Sequence, residues 1–542
     1  ASDVYKRQFL LGAGDDVLPT VERRGGVLDD EDRETLQQHD IELSNATFDA
    51  LDNELQNIYA ALTQPTEYLH VSWPAGDLAG SQLRPSFVVE RIRRLFPSVP
   101  VTRETGDYRL LTPAGALEAA GEHPGGALWQ SFAQSGRWGA ALETMRRARS
   151  FDRGRLSPEA VRALYGSSYR MSASRMDKLR SCHFGYFMQY GLCAKERKAA
   201  GFDAPEIGTF LHYLLENVNR EVKARGGYGA VERAALRGLV RQYLEKYSEE
   251  QLGGCREKSA RFRYLFSRLR TTAYAIVENV ADELSQSDFV PLEFELGFGG
   301  RDGQLPAITI REGESTLAVT GKVDRVDGWL RDGKLYIRVV DYKTGKKSFD
   351  LTDLRYGLGV QMLLYLFALE GEGERYFGHP VVPAGVLYTP ARDVILRTER
   401  GATEEKIRAA LDKELRRSGM VLAEPEVLQA MEHSALEKPC FLPIEVKKGG
   451  TITGGLASAA QLGKLGQYVE RLLHEITDEL SSGNINADPC SRSPQESSCD
   501  WCEYASACCF EEGRDRRRMM KKVRDSEFWR FIEQETEEVR HG

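Results

Sequence analysis

Asp324, Asp341 and Lys343 are the residues whose types and spacing best suit chemistry. They lie in the stretch Thr320–Lys343, TGKVDRVDGWLRDGKLYIRVVDYK. Two β-rich runs meet there at Asp332-Gly333, a pair that signals a two-residue hairpin turn. If Arg331 faces Lys334, the register puts Val326 opposite Val339, Asp324 opposite Asp341 and Lys322 opposite Lys343. Directly opposed carboxylates repel across a strand pair. A hard divalent cation such as Mg²⁺ takes oxygen ligands, keeps several waters, and removes that penalty. Side chains two apart on a strand share a face, so Asp341 and Lys343 point the same way. A lysine beside a metal orients a water or stabilises charge developing on a phosphate. The bland alternative is a solvated surface hairpin, and an Asp-x-Lys strand alone is weak evidence. Gln361 and Tyr365 then follow, one helical turn apart in VQMLLYLFAL.

Other elements carry further donors. Pro205–Val218 reads as an amphipathic helix, and Gly208, His212 and Glu216, spaced by four, share one face. A lone helical histidine is ordinarily structural. The strand-like PLEFELGF offers Glu293 and Glu295, which alternation puts on the same face, so the pattern does not separate them. The nine cysteines are 182, 193, 255, 440, 490, 499, 502, 508 and 509. In a chain with no visible export signal, their clustering points to metal or cluster ligation rather than disulfides. Cys499-x₂-Cys502-x₅-Cys508 needs a fourth ligand to close one centre. Zinc and an iron–sulfur cluster both accept four thiolates, and spacing does not choose between them.

At 41% hydrophobic and 28% charged residues the composition is that of a globular protein of about three domains. A net charge of −8 excludes nucleic-acid binding through overall charge and requires local basic patches. Arg514–Arg524 (RDRRRMMKKVR) is one such run, read either as a DNA-backbone contact or as a charged C-terminal helix. The longest apolar run, near Val360–Leu369, is too short to span a bilayer, so a soluble cytoplasmic protein is expected. Phe9–Pro19 reads as a buried strand at the edge of a parallel sheet, and Glu54–Trp73 as a helix followed by a strand. Ala230–Leu284 reads as a long helical insert, and Val381–Pro390 as a core strand.

Taken in order, Gly321, Asp324, Asp341-Tyr342-Lys343-Thr344, Gln361 and Tyr365 resemble the RecB-type branch of PD-(D/E)xK nucleases. That family's pattern is a helical His, a G-x-x-D strand, a D-Y-K-[ST] strand and a Q-x-x-x-Y helix. The resemblance implies Mg²⁺-dependent phosphodiester hydrolysis. His212, Asp324, Asp341 and the backbone carbonyl of Tyr342 would hold the metal, with Glu295 as acidic partner and Glu293 as its alternative. Lys343 would orient the nucleophile, and Gln361 and Tyr365 would position DNA or the lysine. AddB-type nuclease subunits carry a [4Fe–4S] cluster on one Cys before the nuclease core and a C-x₂-C-x₅-C group after it. By that resemblance Cys182, Cys499, Cys502 and Cys508 are the ligands, with Cys509 or Cys490 as alternatives, and the cluster is a structural staple without redox chemistry.

The segment before residue 100 resembles the end of the second motor domain of superfamily 1 helicases. Gln64, in Thr63-Gln64-Pro65, stands where active members have the arginine that reaches the ATP γ-phosphate, and Asn57 stands at a usually basic position. A degenerate, ATPase-free module is therefore expected. No G-x-x-x-x-G-K-[ST] occurs, and Gly345-Lys346-Lys347-Ser348 lacks the upstream glycine spacing.

The expected fold is α/β. Residues 9–100 form a partial helicase-like (RecA-like) module and 101–165 a helical linker. Residues 166–542 form a restriction-endonuclease-like nuclease domain with helical insertions and an iron–sulfur staple. Residues 1–8 (ASDVYKRQ) resemble translated sequencing adaptor, so a non-native leader and a chain beginning further upstream are expected. As a whole the chain resembles the C-terminal half of AddB-type subunits of helicase/nuclease complexes. That implies resection of double-strand DNA ends for recombinational repair, 5′-to-3′ cutting, and an AddA-type motor protein as partner. A stand-alone Cas4-like exonuclease shares the nuclease and cysteine patterns, but the helicase-like segment argues against it. Intact Asp324, Asp341 and Lys343 argue against a non-catalytic DNA-scanning or scaffold role.

Overall fold

The computed structural model describes residues 5–20, 30–41, 47–77, 81–103, 107–149, 153–195, 204–251, 259–299, 304–313, 315–394, 396, 402–493 and 495–541. Cys255 and residues 1–4 lie outside them. The chain forms two compact units, Ala1–Phe151 and Asp152–Gly542.

In the first unit, Arg7–Leu10 pairs in parallel with Tyr68–Val71, and a helix spans Thr47–Thr63 before the second strand. The helix-then-strand expectation holds. The strand is not buried, however. Among the described residues the sheet has two strands, and Phe9 stays 61% exposed because nothing covers that face. Arg7 and Gln8, assigned from sequence to the leader, are the first residues of this strand. The other regular elements described in this unit are helices, including Pro113–Glu122, which starts on a Thr112 side-chain cap with proline in its first turn.

The second unit is built on a six-stranded sheet among the described residues. Its strands are β1 (Val290–Phe298), β2 (Gly321–Arg331), β3 (Lys334–Lys343), β4 (Val381–Pro390), β5 (Ser418–Leu422) and β6 (Leu456–Ala457), in spatial order 1-2-3-4-5-6. β1, β2 and β3 run antiparallel, whereas β3 and β4 are parallel. A parallel pair needs a crossover. Helix α3 (Gln361–Phe377) supplies it and ends on Gly378 at φ +76°, a left-handed stop that glycine takes without strain. Helix α1 (Ala204–Ala224) packs on β1, and α2 (Ala260–Leu284) starts at a Ser259 cap that accepts from the Phe262 N–H. The short helix Pro158–Tyr165, assigned from sequence to the linker, belongs to this unit, with Tyr165 against Tyr186.

The β2–β3 turn forms as expected, with Asp332 at φ +50° and Gly333 at φ +76°, the type I′ pattern that matches strand twist. Arg331 faces Lys334, and the ladder continues to Arg325 opposite Val340. There it stops. One position on, Asp324 Oδ2 accepts from the Tyr342 N–H at 2.7 Å, so the strands part at the carboxylates. The expected Lys322–Lys343 pairing does not form. On its other edge Lys322 lies opposite Gly297 of β1, with which β2 stays paired down to Gly321.

Beneath the hairpin lies a buried charge network. Arg325, Asp327 and Arg338 are fully buried, and Glu283 of α2 and Arg417 nearly so. Arg325 and Arg338 both donate to Asp327, at 2.8 Å each, and Arg417 donates to Glu283 at 2.7 Å. Glu283 Oε1 lies 3.3 Å from Arg338. Arg325 also donates to Tyr342 Oη at 2.7 Å, which ties the network to the Asp341-Tyr342-Lys343 segment.

Gly321 has a packing reason. A Cβ there would fall on Tyr365 Oη and within 2.7 Å of its ring, which is stacked on Phe298. Gly321→Ala is therefore expected to cost about 1–3 kcal/mol by overpacking, read as a lower urea midpoint at unchanged slope. An unchanged midpoint would mean that Tyr365 yields freely.

Candidate active site

β2 brings Asp324 and β3 brings Asp341 and Lys343 to the end where their ladder opens. The shared face predicted for Asp341 and Lys343 is present, with Lys343 Nζ 2.6 Å from Asp341 Oδ2. Asp341 is buried. Burial and the neighbouring Asp324 carboxylate push its carboxyl up to about 6, against the opposing pull of Lys343 and His212.

His212 reaches the same point from α1. Its Nδ1 lies 3.4 Å from Asp324 Oδ1 and 3.7 Å from Glu295 Oε1. Burial disfavours its charged form, yet Asp324 and Glu295 outweigh that and hold it at about 10. Ligand atoms of His212, Glu295 and Asp324 all lie within 4.8 Å of one another. One imidazole and crowded carboxylates are a donor set that fits a divalent cation.

Contacts separate the two glutamates that alternation left together. Glu293 accepts from Tyr376 Oη at 3.3 Å, whereas Glu295 joins His212 and accepts Lys322 at 2.8 Å. Burial raises the Glu295 carboxyl, but His212 and Lys322 bring it below the ordinary range. Its backbone sits at φ +52°, a left-handed conformation that non-glycine residues rarely adopt and that recurs at functional sites. Gln361 lines the same cavity as Lys343, and its Nε2 lies 3.5 Å from Tyr365 Oη. The Tyr342 ring is held from behind, because Asn219 of α1 also donates to Tyr342 Oη, at 3.2 Å.

The four cysteines singled out by resemblance come together. Cys182, Cys499, Cys502 and Cys508, with Cys509, line one cavity of about 270 Å³. Cys490 does not; it is buried, and its thiol donates to the Arg180 carbonyl at 3.2 Å. Cys509 is exposed, with its backbone at φ +47°, and its thiol donates to Ser506 O. Burial pushes the Cys508 thiol up to about 11; Arg153 works against that, and Cys182 and Cys499 work with it. Crowded, half-buried thiols fit a metal or cluster that would hold them as thiolates. The cavity is many times the roughly 30 Å³ that one water claims, roomier than a lone ion requires.

The basic run Arg514–Arg524 is not a helix; it is loop with a short strand, and the next helix begins at Asp525. Arg517, Arg518 and Arg524 pair with Glu512, Asp488 and Glu527, so local carboxylates absorb much of its charge. Sequence reasoning missed the Glu283–Arg325–Arg338–Arg417 network. Its one signal was charge at positions of a central strand that should be apolar on both faces.

No helix among the described residues is long and apolar enough to cross a membrane. Several curated relatives are named as a subunit of an ATP-dependent helicase/deoxyribonuclease. This chain is 32% identical to the one from Acetivibrio thermocellus, over 99% of its own length and 49% of the relative's. It is 30% identical to those of Clostridium acetobutylicum and Ruminiclostridium cellulolyticum, again over 49% and 48% of their lengths. The chain thus spans about half the length of the curated relatives it matches. Residues 170–509 match the PD-(D/E)XK nuclease superfamily. That span includes every metal-site, lysine and cysteine position described above and more than half of the sequence, and the chain belongs to the PD-(D/E)XK nuclease superfamily.

Proposed function

We propose that this chain is the metal-dependent deoxyribonuclease part of a helicase/nuclease complex that resects double-strand DNA ends with a motor partner. The observation that carries the reading is the meeting of His212, Asp324, Asp341 and Lys343 where β2 and β3 part. Superfamily membership and the printed names of the relatives support it.

Asp324, Asp341, His212 and the Tyr342 carbonyl would hold Mg²⁺, with Glu295 beside them. When bound, the cation supplies Lewis-acid polarisation and a lowered water pKa. The protein does the rest. Asp324 is pre-aimed by the Tyr342 N–H, and Asp341 by Lys343. Lys343 faces the phosphate and offers a positive charge where negative charge develops. His212 must give up its proton to act as a ligand, so metal affinity rises with pH. Gln361 and Tyr365 position the strand or the lysine. Cys182, Cys499, Cys502 and Cys508 would hold a [4Fe–4S] cluster, which would tie residue 182 to residue 499 as a staple, with no redox step assigned to it. Residues 9–100 are the remnant of a helicase module, the AddA-type partner supplies the ATP-driven motor, and cutting runs 5′ to 3′.

The test is degradation of linear DNA labelled at either end by the chain prepared anaerobically. Cutting is expected with Mg²⁺ and none with chelator, with short products released first from the 5′ label. Iron and labile sulfide should accompany the protein; zinc in their place would overturn the cluster. Cutting that survives chelation would overturn the metal mechanism. No cutting by folded, cluster-loaded protein would favour a scaffold, or a nuclease that works only beside its motor.

A further inference from the structure

A groove leads away from Lys343. It has two lobes, of about 170 Å³ and 360 Å³, both floored by Lys343 at the end of β3 and by Lys346 and Lys347 just beyond it. One lobe reaches Gln361. The other runs under the end of helix α4 (Glu404–Leu415) and is lined by Arg392, Lys413 and Arg416. Six cationic side chains therefore meet two carboxylates, Glu414 and Asp177, in a chain whose net charge is −8.

Fold stability does not account for this charge. Arg392 pairs with Glu414 at 2.7 Å and Arg416 approaches Glu445 at 3.7 Å. Lys346, Lys347 and Lys413 form no ion pair among the described residues, and all three are exposed. Glu414 lies near Lys346 and Lys413, and Asp177 and Asp353 lie near Lys347, but the cations outnumber these carboxylates and repel one another, so their clustering points to an anionic occupant. The groove is continuous with the lysine that faces the scissile phosphate. A positive channel that tracks a backbone is the mode by which proteins hold single strands.

We infer that this groove grips the phosphates of a single DNA strand on one flank of the scissile bond, through Lys346, Lys347, Lys413 and Arg416. The inference rests on the nuclease reading above. It commits to one strand because the cations gather on one short line between a loop and a helix end. A duplex would need a broad face that meets both backbones.

The test is binding of a labelled 20-nucleotide DNA strand to the 542-residue chain in chelator, over a range of salt. Lys346→Gln, Lys347→Gln and Lys413→Gln are combined in one variant. Each single-strand phosphate contact contributes about 0.7 to the salt slope, so the triple variant should lose about 2. Affinity at low salt should fall about tenfold or more. On the unaltered chain, the strand should shield these three lysines from acetylation but not Lys464, which pairs with Glu533. Unchanged slope and affinity, with no shielding, would overturn the groove. Equal binding of a blunt duplex, with the same loss in the variant, would overturn the single-strand assignment. The two readings fail separately. Lysine-dependent binding without Mg²⁺-dependent cutting, alone or beside the motor partner, would sink the nuclease and leave the groove. Normal cutting with lysine-independent binding would sink the groove alone.

Discussion

Asp341→Asn should lose DNA cutting by at least about 10²–10³-fold, the effect of removing one preorganised electrostatic group from a reacting site, while making the metal-free protein more stable. Both effects come from one crowding. Asp341 is buried beside Asp324, and its carboxyl is pushed from 3.8 up to about 6. At neutral pH the metal-free chain therefore carries an ionised group that burial and a like charge oppose, at a cost of roughly 2–3 kcal/mol. An acid whose folded value is raised loses stability as pH climbs from 3.8 through about 6. The advantage of the Asn variant should be near zero at pH 4 and complete at pH 7, read by urea unfolding in chelator. Bound Mg²⁺ should erase the advantage, because the cation neutralises the same charges. Equal cutting by variant and parent would place the chemistry elsewhere. Equal stability at pH 7 would mean that Asp341 is solvated in the metal-free protein.

Glu283→Ala is expected to be the most damaging single change away from the site, costing about 3–5 kcal/mol. Glu283 is 2% exposed and faces three guanidinium groups, those of Arg417, Arg338 and Arg325. Burial raises its carboxyl, yet the arginines prevail and hold it at about 2. Truncation would leave that positive charge buried with Asp327 as its remaining carboxylate, and Arg325 is the donor that locks Tyr342. The sign runs opposite to that of Asp341. The folded value is depressed, so the stability is present above about 4.5 and is lost as pH falls towards 2. The urea midpoint should drop at constant slope, or the variant should be recovered insoluble. Glu283→Gln, which keeps the shape and hydrogen bonds but not the charge, should fall between. A loss below about 1 kcal/mol would mean that water reaches the arginines.

The two variants separate the machinery from its scaffold. On the proposed reading Asp341 destabilises the metal-free fold and serves the metal, whereas Glu283 supports the strands that carry it. Activity lost in Glu283 variants should track the folded fraction; activity lost in Asp341→Asn should not.

Local rules were enough for what the sequence alone determined. Asp332-Gly333 made the turn because both positions need positive φ, and the turn set the register down to Arg325 opposite Val340. The two-residue period put Lys343 on the face of Asp341, and the helical period put Gln361 beside Tyr365. Resemblance rather than spacing picked out Cys182 with the later three cysteines, and the fold brings all four to one cavity. Other features depended on contacts between segments far apart in sequence. The ladder opens at Asp324, whose carboxylate takes the Tyr342 N–H while β2 stays paired with β1, an arrangement invisible in the hairpin itself. Glu295 and not Glu293 joins His212, while Glu293 meets Tyr376 of α3. Arg325 and Arg338 look like solvated strand charges until α2 and Arg417 close over them with Glu283. The groove joins Lys346 and Lys347 to Lys413, from a helix end some 65 residues later, as a patch that no sequence window contains. Periodicity decides which face a side chain takes; only the packed fold decides which other segment meets it there.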